Sequence, residues 1–420
     1  MAVTERRTPA LEAPRARTGT GALGFVRSRA HLLEPFWVLV GIRAVFWTGA
    51  ILALLWMPAP VAGGNPVFRA YEARSDLVFG ALAEWDSGWY VAIAENGYDN
   101  RQASAFFPLY PMLVRGLSIV TGSTVVAGVL IALLAAGIAA IVLAELARPL
   151  LGDLGARESV LLLALYPIAF VFTSVYSDSL LLALSAGAFL AALRGRPWLA
   201  GTLGAFAVGT RSLGLALIPA LLVLLWPRDR SLRALARPLP LLMLPAALGA
   251  FALFLHRRLG DWNAFIDVQA TFWQRHTPTL GPIGGLWESA EFAYRGAAQL
   301  ALHLPRTGET FDRFDQIAVW FVLHFLLLLG ALYLTWVAWR RLGAAYGLYS
   351  LTTLVVLLSN PVEWFPLQSL PRYLLTDFPL FLALASLTIE RPRLRLITLC
   401  SFAAIGAVAA VAFSRHIWVA

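Results

Sequence analysis

The chain has 420 residues, 59% hydrophobic and only 14% charged, with a formal net charge of +9. A soluble domain is roughly 45–50% apolar and about 25% charged, so this composition excludes an ordinary water-soluble fold and points to lipid as solvent. All 33 basic residues are Arg and none is Lys, which reads as the codon bias of a GC-rich bacterial genome. The basic charge then serves membrane topology, and nucleic acid is not an expected partner.

Residues 1–30 are rich in Arg, Pro and Ala and lack an apolar core, so a disordered cytoplasmic tail is expected there, with no cleavable signal peptide. Residues 31–420 are expected to form one all-α domain, a polytopic transmembrane helical bundle. A span needs about 20 mainly apolar residues. Candidates are Phe36 to Met57, then 122–146, 158–175, 178–193, 198–210, 212–226, 238–256, 316–338, 344–359, 372–389 and 394–413. That makes about 11 spans, with short pairs turned as hairpins.

Arginine placement orients the bundle. With the N-terminus cytoplasmic, the inner segments carry Arg148 and Arg157, Arg194 and Arg196, Arg228 to Arg237, Arg340 and Arg341, and Arg391 to Arg395. The short outer turns hold little beyond Arg211 and Arg372, which is the expected positive-inside bias. An odd number of spans places the C-terminus outside, in a multi-pass protein of the bacterial plasma membrane. Two long outer loops remain, about 58–120 and 257–315. Loops beyond roughly 12–15 residues are uncommon without a function.

The first of these loops holds Glu84-Trp85-Asp86-Ser87-Gly88-Trp89-Tyr90. Asp86 suits the N-cap of a helix ending near Gly97. Capping leaves the flanking Trp85, Trp89 and Tyr90 unexplained. On a helix Asp86, Trp89, Tyr90 and Ile93 share one face. A carboxylate among aromatic rings at a membrane surface can bind a pyranose and deprotonate its hydroxyl. Ser104 to Pro111 follows, with prolines at 108 and 111 that break regular helix, and reads as an aromatic re-entrant turn that positions the acidic segment.

Further on, Asp178 either caps the next helix or binds substrate. Arg211 is either a snorkelling interfacial residue or a partner for lipid phosphate. Arg372 at an outer mouth is either an anchor or a phosphate fork, with Asp377 as its buried partner or a second polar site. The 257–315 stretch adds Asp261, Trp262, Asp267, Trp273, Arg275, His276, Trp287, Glu288 and Glu291, which spacing does not rank. Trp262 and Trp273 are expected to fold toward Asp86. There is no HExxH spacing, nucleophile elbow or P-loop, so a serine hydrolase or a nucleotide-driven pump has no support. A transporter or lipid flippase is the competing class; it calls for midplane polar residues or an internal repeat, and neither is evident.

The string Trp85 to Tyr90, then Ala105 to Pro111, resembles the phosphatidylinositol-glycan class V (PIG-V) mannosyltransferase family. Phe172 to Leu180, Gly209 to Leu215 and Pro371 to Leu375 resemble it in the same order, from about residue 36 to about 390. This resemblance implies a GT-C class membrane glycosyltransferase. It implies a polyprenyl-phosphate-linked mannose donor used on the outer face, a lipid or glycan acceptor, and no nucleotide cofactor. Another polyprenyl-linked sugar is the alternative within the class. It also implies a catalytic carboxylate in the first outer loop, which maps onto Asp86. Trp85, Trp89, Tyr90, Asp178, Arg211 and Arg372 are then the expected substrate-binding residues, with no metal ligand among them.

Overall fold

The structure, a computed structural model, describes residues 22–56, 82–227, 236–302, 313–415, 417 and 419. Among these residues all regular structure is helical, apart from isolated bridges joining Arg275 to Val362 and Val362 to Phe365. Five helices are long and apolar enough to cross a membrane: Leu33–Trp56, Thr124–Leu165, Leu239–Leu259, Asp315–Leu342 and Pro392–Ser414. A sixth span is formed if Leu370–Thr376 (α13) and Phe378–Thr388 (α14), bent by 80°, are taken together. Shorter apolar helices at Leu109–Thr121, Asp178–Leu193, Ser212–Leu225 and Ala344–Leu358 pack among them. The chain is a multi-pass membrane protein.

The first helix, α1 (Ala22–Trp56), starts inside the stretch read as a tail, whose residues 1–21 lie outside the described residues. Residues 57–81 of the first outer loop and 303–312 of the second also lie outside them. After α2 (Ser87–Asn96) and α3 (Leu109–Thr121), Ser123 opens the long helix α4 (Thr124–Leu165) by accepting from the Val126 amide at 3.3 Å. Forty-two residues would run about 63 Å as one rod, twice the roughly 30 Å hydrocarbon thickness. The rod breaks at Gly152, whose φ of 69° is open to glycine without a Cβ penalty. Arg148, Pro149 and Asp153 surround the break, and polar side chains there suit an aqueous turn between two passes.

One expected span is corrected. The helical run predicted over 158–175 ends at Leu165, because Pro167 supplies no amide hydrogen and restricts Tyr166 to extended backbone. Residues Ala169–Thr173 form a short 3-10 turn buried against α1 and α4. This turn delivers Asp178 to the first turn of α5 (Asp178–Leu193), which is followed by α6 (Pro197–Thr210) and α7 (Leu217–Leu225).

The ends read as cytoplasmic share ion pairs. Arg148 and Arg194 both meet Glu145, and Arg395 holds the fully buried Glu158 at 2.6 Å, with Thr388 donating at 3.2 Å. At the other end the two long loops fold together. The second contains α8 (Met243–Leu259), which runs into it, then α9 (Ala264–Thr271) and α10 (Pro282–Leu302), so much of it is helix. Arg101 reaches Asp261 and Asp267, and the Ser104 hydroxyl donates to the Ala264 carbonyl at 2.9 Å. A second apolar core seals this contact: Trp89, Tyr90, Phe106, Phe107 and Tyr110 from the first loop against Phe251, Leu255 and Ala264. The remaining helices are α11 (Arg313–Val337), α12 (Ala344–Leu358) and α15 (Pro392–Ser414).

Candidate active site

Where the loops close, a cavity of about 1170 Å³ opens between α2, α9, α11 and the segment 360–373. Asp86 stands on its wall. It occupies the N-cap position of α2, and Gly97 closes that helix with φ 79°, as the sequence suggested. The carboxylate makes no capping hydrogen bond. It faces Arg372 instead, whose Nη1 donates to Asp86 Oδ2 at 2.7 Å.

Arg372 bridges two acids. Its Nη2 donates to Asp178 Oδ2 at 3.1 Å, and Arg211 Nη1 donates to Asp178 Oδ1 at 2.7 Å. The result is an alternating chain, Asp86–Arg372–Asp178–Arg211, drawn from four separate segments. Asp178 is wholly buried, Arg372 nearly so, and the Asp86 and Arg211 side chains are 23% and 24% exposed. Two aromatic rings flank it: Tyr176 lies 4.6 Å from the Arg372 guanidinium carbon and Tyr373 5.7 Å from that of Arg211. Such a buried array persists only because each charge meets its opposite.

Asp86, Arg211 and Arg372 line the cavity, as do Trp85, Trp89 and Tyr90. Asp178 does not; it reaches the cavity only through the two arginines. Trp89 and Tyr90 are 5% and 2% exposed and mainly serve packing. The Trp89 ring stacks on Phe106 with centroids 5.7 Å apart and meets Phe272 edge-on at 5.9 Å. The Tyr90 hydroxyl is 2.6 Å from Ser177 Oγ, and burial pushes that phenol up to about 12, so it stays protonated at neutral pH. The Phe106-Phe107 turn thus holds α2 in place, which is the positioning role expected of Ser104 to Pro111.

Trp273 joins the cavity wall, its ring 6.1 Å from Phe106. Trp262 does not; it stacks on His256 at 4.5 Å and is 48% exposed. Asp377 is not a partner of Arg372. It is fully buried at the bend between α13 and α14 and accepts from Ser350 Oγ at 2.6 Å.

The cavity also recruits residues that spacing did not rank, together with Gln368 and Ser369 of the segment that carries Arg372. Arg275 and His276 come from the second loop, and Asn360, Trp364, Gln368 and Ser369 precede α13. His276 Nε2 lies 3.0 Å from Glu288 Oε2. Trp364 lines the cavity and is 47% exposed. Their signal in the sequence was faint: charged and amide residues interleaved with Trp in two segments far apart along the chain. Among the described residues no group of three or more His, Cys, Asp or Glu is placed to hold a metal ion.

Backbone strain gathers here. Among the described residues three non-glycine positions have positive φ: Trp85 at 55°, Gln274 at 52° and Ser369 at 65°. Each is uncommon for an L-residue and costs of order 1–3 kcal/mol. Trp85 and Ser369 line the cavity, and Gln274 sits between the lining residues Trp273 and Arg275, so each lies next to or one turn before Asp86, Arg275 or Arg372.

Residues 64–228 match the family described as mannosyltransferase (PIG-V). That stretch carries Asp86, Asp178 and Arg211, and over it the resemblance seen in the motifs is shown. The curated GPI alpha-1,6-mannosyltransferase 2 of Cricetulus griseus is 31% identical over 156 residues, covering 34% of this chain and 32% of that one. The Rattus norvegicus protein of the same name is 32% identical over 181 residues, 39% of this chain and 35% of its own. The match spans about a third of the length of these curated relatives. Among solved structures, ArnT from Cupriavidus metallidurans bound to undecaprenyl phosphate aligns with a TM-score of 0.49 and 17% identity, covering 92% of this chain and 64% of its own. The Archaeoglobus fulgidus oligosaccharyltransferase tethered with an acceptor peptide aligns at 0.40 and 11% identity, covering 90% and 55%.

Proposed function

We propose that this protein is a GT-C class membrane glycosyltransferase. It moves a sugar, mannose by its family match, from a polyprenyl-phosphate donor to a lipid or glycan acceptor on the outer face of the membrane. The observation that carries the reading is the state of Asp86. Its carboxylate stands on the wall of a cavity large enough for a glycolipid head, oriented through Oδ2 by Arg372, with no hydrogen bond on Oδ1 among the described residues. A base held by one oxygen and open at the other is arranged to receive a proton.

The chemistry follows from the donor. Its leaving group is already a phosphate, so the protein has only to hold that charge and deprotonate the acceptor. The acceptor hydroxyl gives its proton to Asp86 Oδ1 as its oxygen attacks the anomeric carbon. The carbon–phosphate-oxygen bond breaks on the opposite side, and its electron pair leaves with the polyprenyl phosphate. A single in-line displacement inverts the anomeric carbon. Trp85 and Trp364 supply aromatic faces for the sugar rings, while Trp89 and Tyr90 fix the helix that presents Asp86.

The cavity lies at the end away from the Arg148, Arg194 and Arg395 cluster. With that cluster cytoplasmic, the N-terminus is inside and the site faces out. The test is incubation of the purified protein in detergent with labelled polyprenyl-phosphate-mannose and a panel of lipid and glycan acceptors. Acceptor-dependent transfer with release of polyprenyl phosphate supports the reading. Label that crosses a proteoliposome membrane with no new glycosidic bond would move the protein to the transporter class.

A further inference from the structure

The charges on the cavity wall do not all cancel. Arg372 is matched by Asp86 and Asp178 at 2.7 and 3.1 Å, and Arg211 by Asp178 at 2.7 Å. These two cations and two carboxylates sum to zero. His276, also on the wall, has Glu288 at 3.0 Å. Arg275 lines the same cavity and makes no ion pair among the described residues. Its Nη1 donates to the Asn360 carbonyl at 2.7 Å, and its other N–H groups find no acceptor among those residues.

The backbone that carries Arg275 is firmly built. The Arg275 amide donates to the Gln269 carbonyl at 2.9 Å, the Glu363 amide to the Gln274 carbonyl at 2.9 Å, and the His276 amide to the Pro361 carbonyl at 3.1 Å. Arg275 thereby bridges Val362. The strained Gln274 just before it matches the strained Trp85 just before Asp86. Strained backbone immediately before a cavity-lining side chain is the pattern of a side chain aimed for a purpose.

We propose that Arg275 is the cation that holds the donor's phosphate, and that Arg372 and Arg211 are positioning residues for Asp86 and Asp178. The proposal rests on the donor class argued above and goes further by naming the residue. A guanidinium offers a planar fork matched to two phosphate oxygens. For Arg372 to do the same it would have to release a buried carboxylate, which is strongly unfavourable. Arg275 has nothing to release. Its place on the second loop also makes the site complete only when both loops are closed.

The experiment compares binding of undecaprenyl phosphate and of neutral undecaprenol to the full-length protein in nanodiscs. Wild type should prefer the phosphate. Arg275→Gln should bind the phosphate roughly 10- to 100-fold more weakly, as loss of a charged hydrogen-bond pair implies, with undecaprenol binding unchanged. Arg275→Lys keeps the charge and a donor for the Asn360 carbonyl, and so the fold; losing the fork, it should weaken phosphate binding severalfold. Unaltered phosphate preference in Arg275→Gln, or wild-type affinity in Arg275→Lys, overturns the assignment and leaves the donor class standing. A wild type that does not distinguish phosphate from alcohol overturns the donor class itself. Inorganic phosphate added as competitor should displace the lipid only weakly; full competition would make this a site for free phosphate and overturn the proposal.

Discussion

Replacing Arg372 with Met removes the centre of the charge chain while roughly keeping side-chain length. Two carboxylates lose a partner, unequally. Asp86 is 23% exposed and can regain water, whereas Asp178 is fully buried and keeps only Arg211 at 2.7 Å. The cost therefore concentrates on Asp178. Breaking a buried pair by removing one partner costs about 3–5 kcal/mol, so Arg372→Met should melt far below wild type. Asp178→Asn in the same chain removes the stranded charge and leaves Arg211, 24% exposed, able to reach water. The double variant should then recover part of the loss, with a coupling of roughly 0.5–3 kcal/mol between the two sites. Thermal melts followed by size-exclusion in one detergent measure all four proteins. Wild-type melting of Arg372→Met, or a double variant whose loss is simply the sum, would refute a structural role for the chain. Under the proposal above, Arg372, expected from the sequence to be a substrate-binding residue, positions Asp86 and Asp178 instead.

Gly285→Ala should destabilise by about 1–3 kcal/mol, because its Cβ would stand 1.9 Å from the Leu358 carbonyl oxygen, a backbone atom that cannot swing away. Gly116→Ala meets nothing within 4 Å and should melt with wild type; equal melting of both would contradict the packing of α10 on α12. For topology, Cys400→Ser removes the only cysteine, which is exposed. In that background Tyr294→Cys, at a position 75% exposed, should react with an impermeant maleimide from outside, and Arg340→Cys only from inside. The reverse pattern would invert the bundle.

The sequence showed the bundle readily, because lipid-facing runs leave a hydropathy record that does not depend on contacts. It misplaced 166–175, the second half of the span expected over 158–175, where Phe170, Val171 and Phe172 are apolar yet packed in a 3-10 turn inside the protein. Hydropathy reports burial and cannot distinguish a span from a buried irregular segment. Pro167 was the available signal. The ends of α2 were legible from Asp86 and Gly97, since caps are local chemistry. That the Asp86 carboxylate ignores its own helix was not, because its partner is 286 residues away. Asp178 and Arg211, read as separate ligands, form one pair for the same reason. Arg275 could not be ranked, since its importance lies in what its neighbours cancel, and pairing is a property of the fold.

The central claim is that Asp86 takes the acceptor's proton. Asp86→Asn keeps size and an oxygen that Arg372 can still meet, and its partial exposure lets the lost charge be accommodated. The decisive measurement is labelled mannose transfer by wild type and Asp86→Asn at saturating donor and acceptor, with equal monodispersity and donor binding verified in the same samples. A base of this kind contributes about 10²- to 10⁴-fold, so transfer should fall by at least 100-fold while donor still binds. Near wild-type transfer by Asp86→Asn would contradict the account and move the search for the base to another group on the cavity wall.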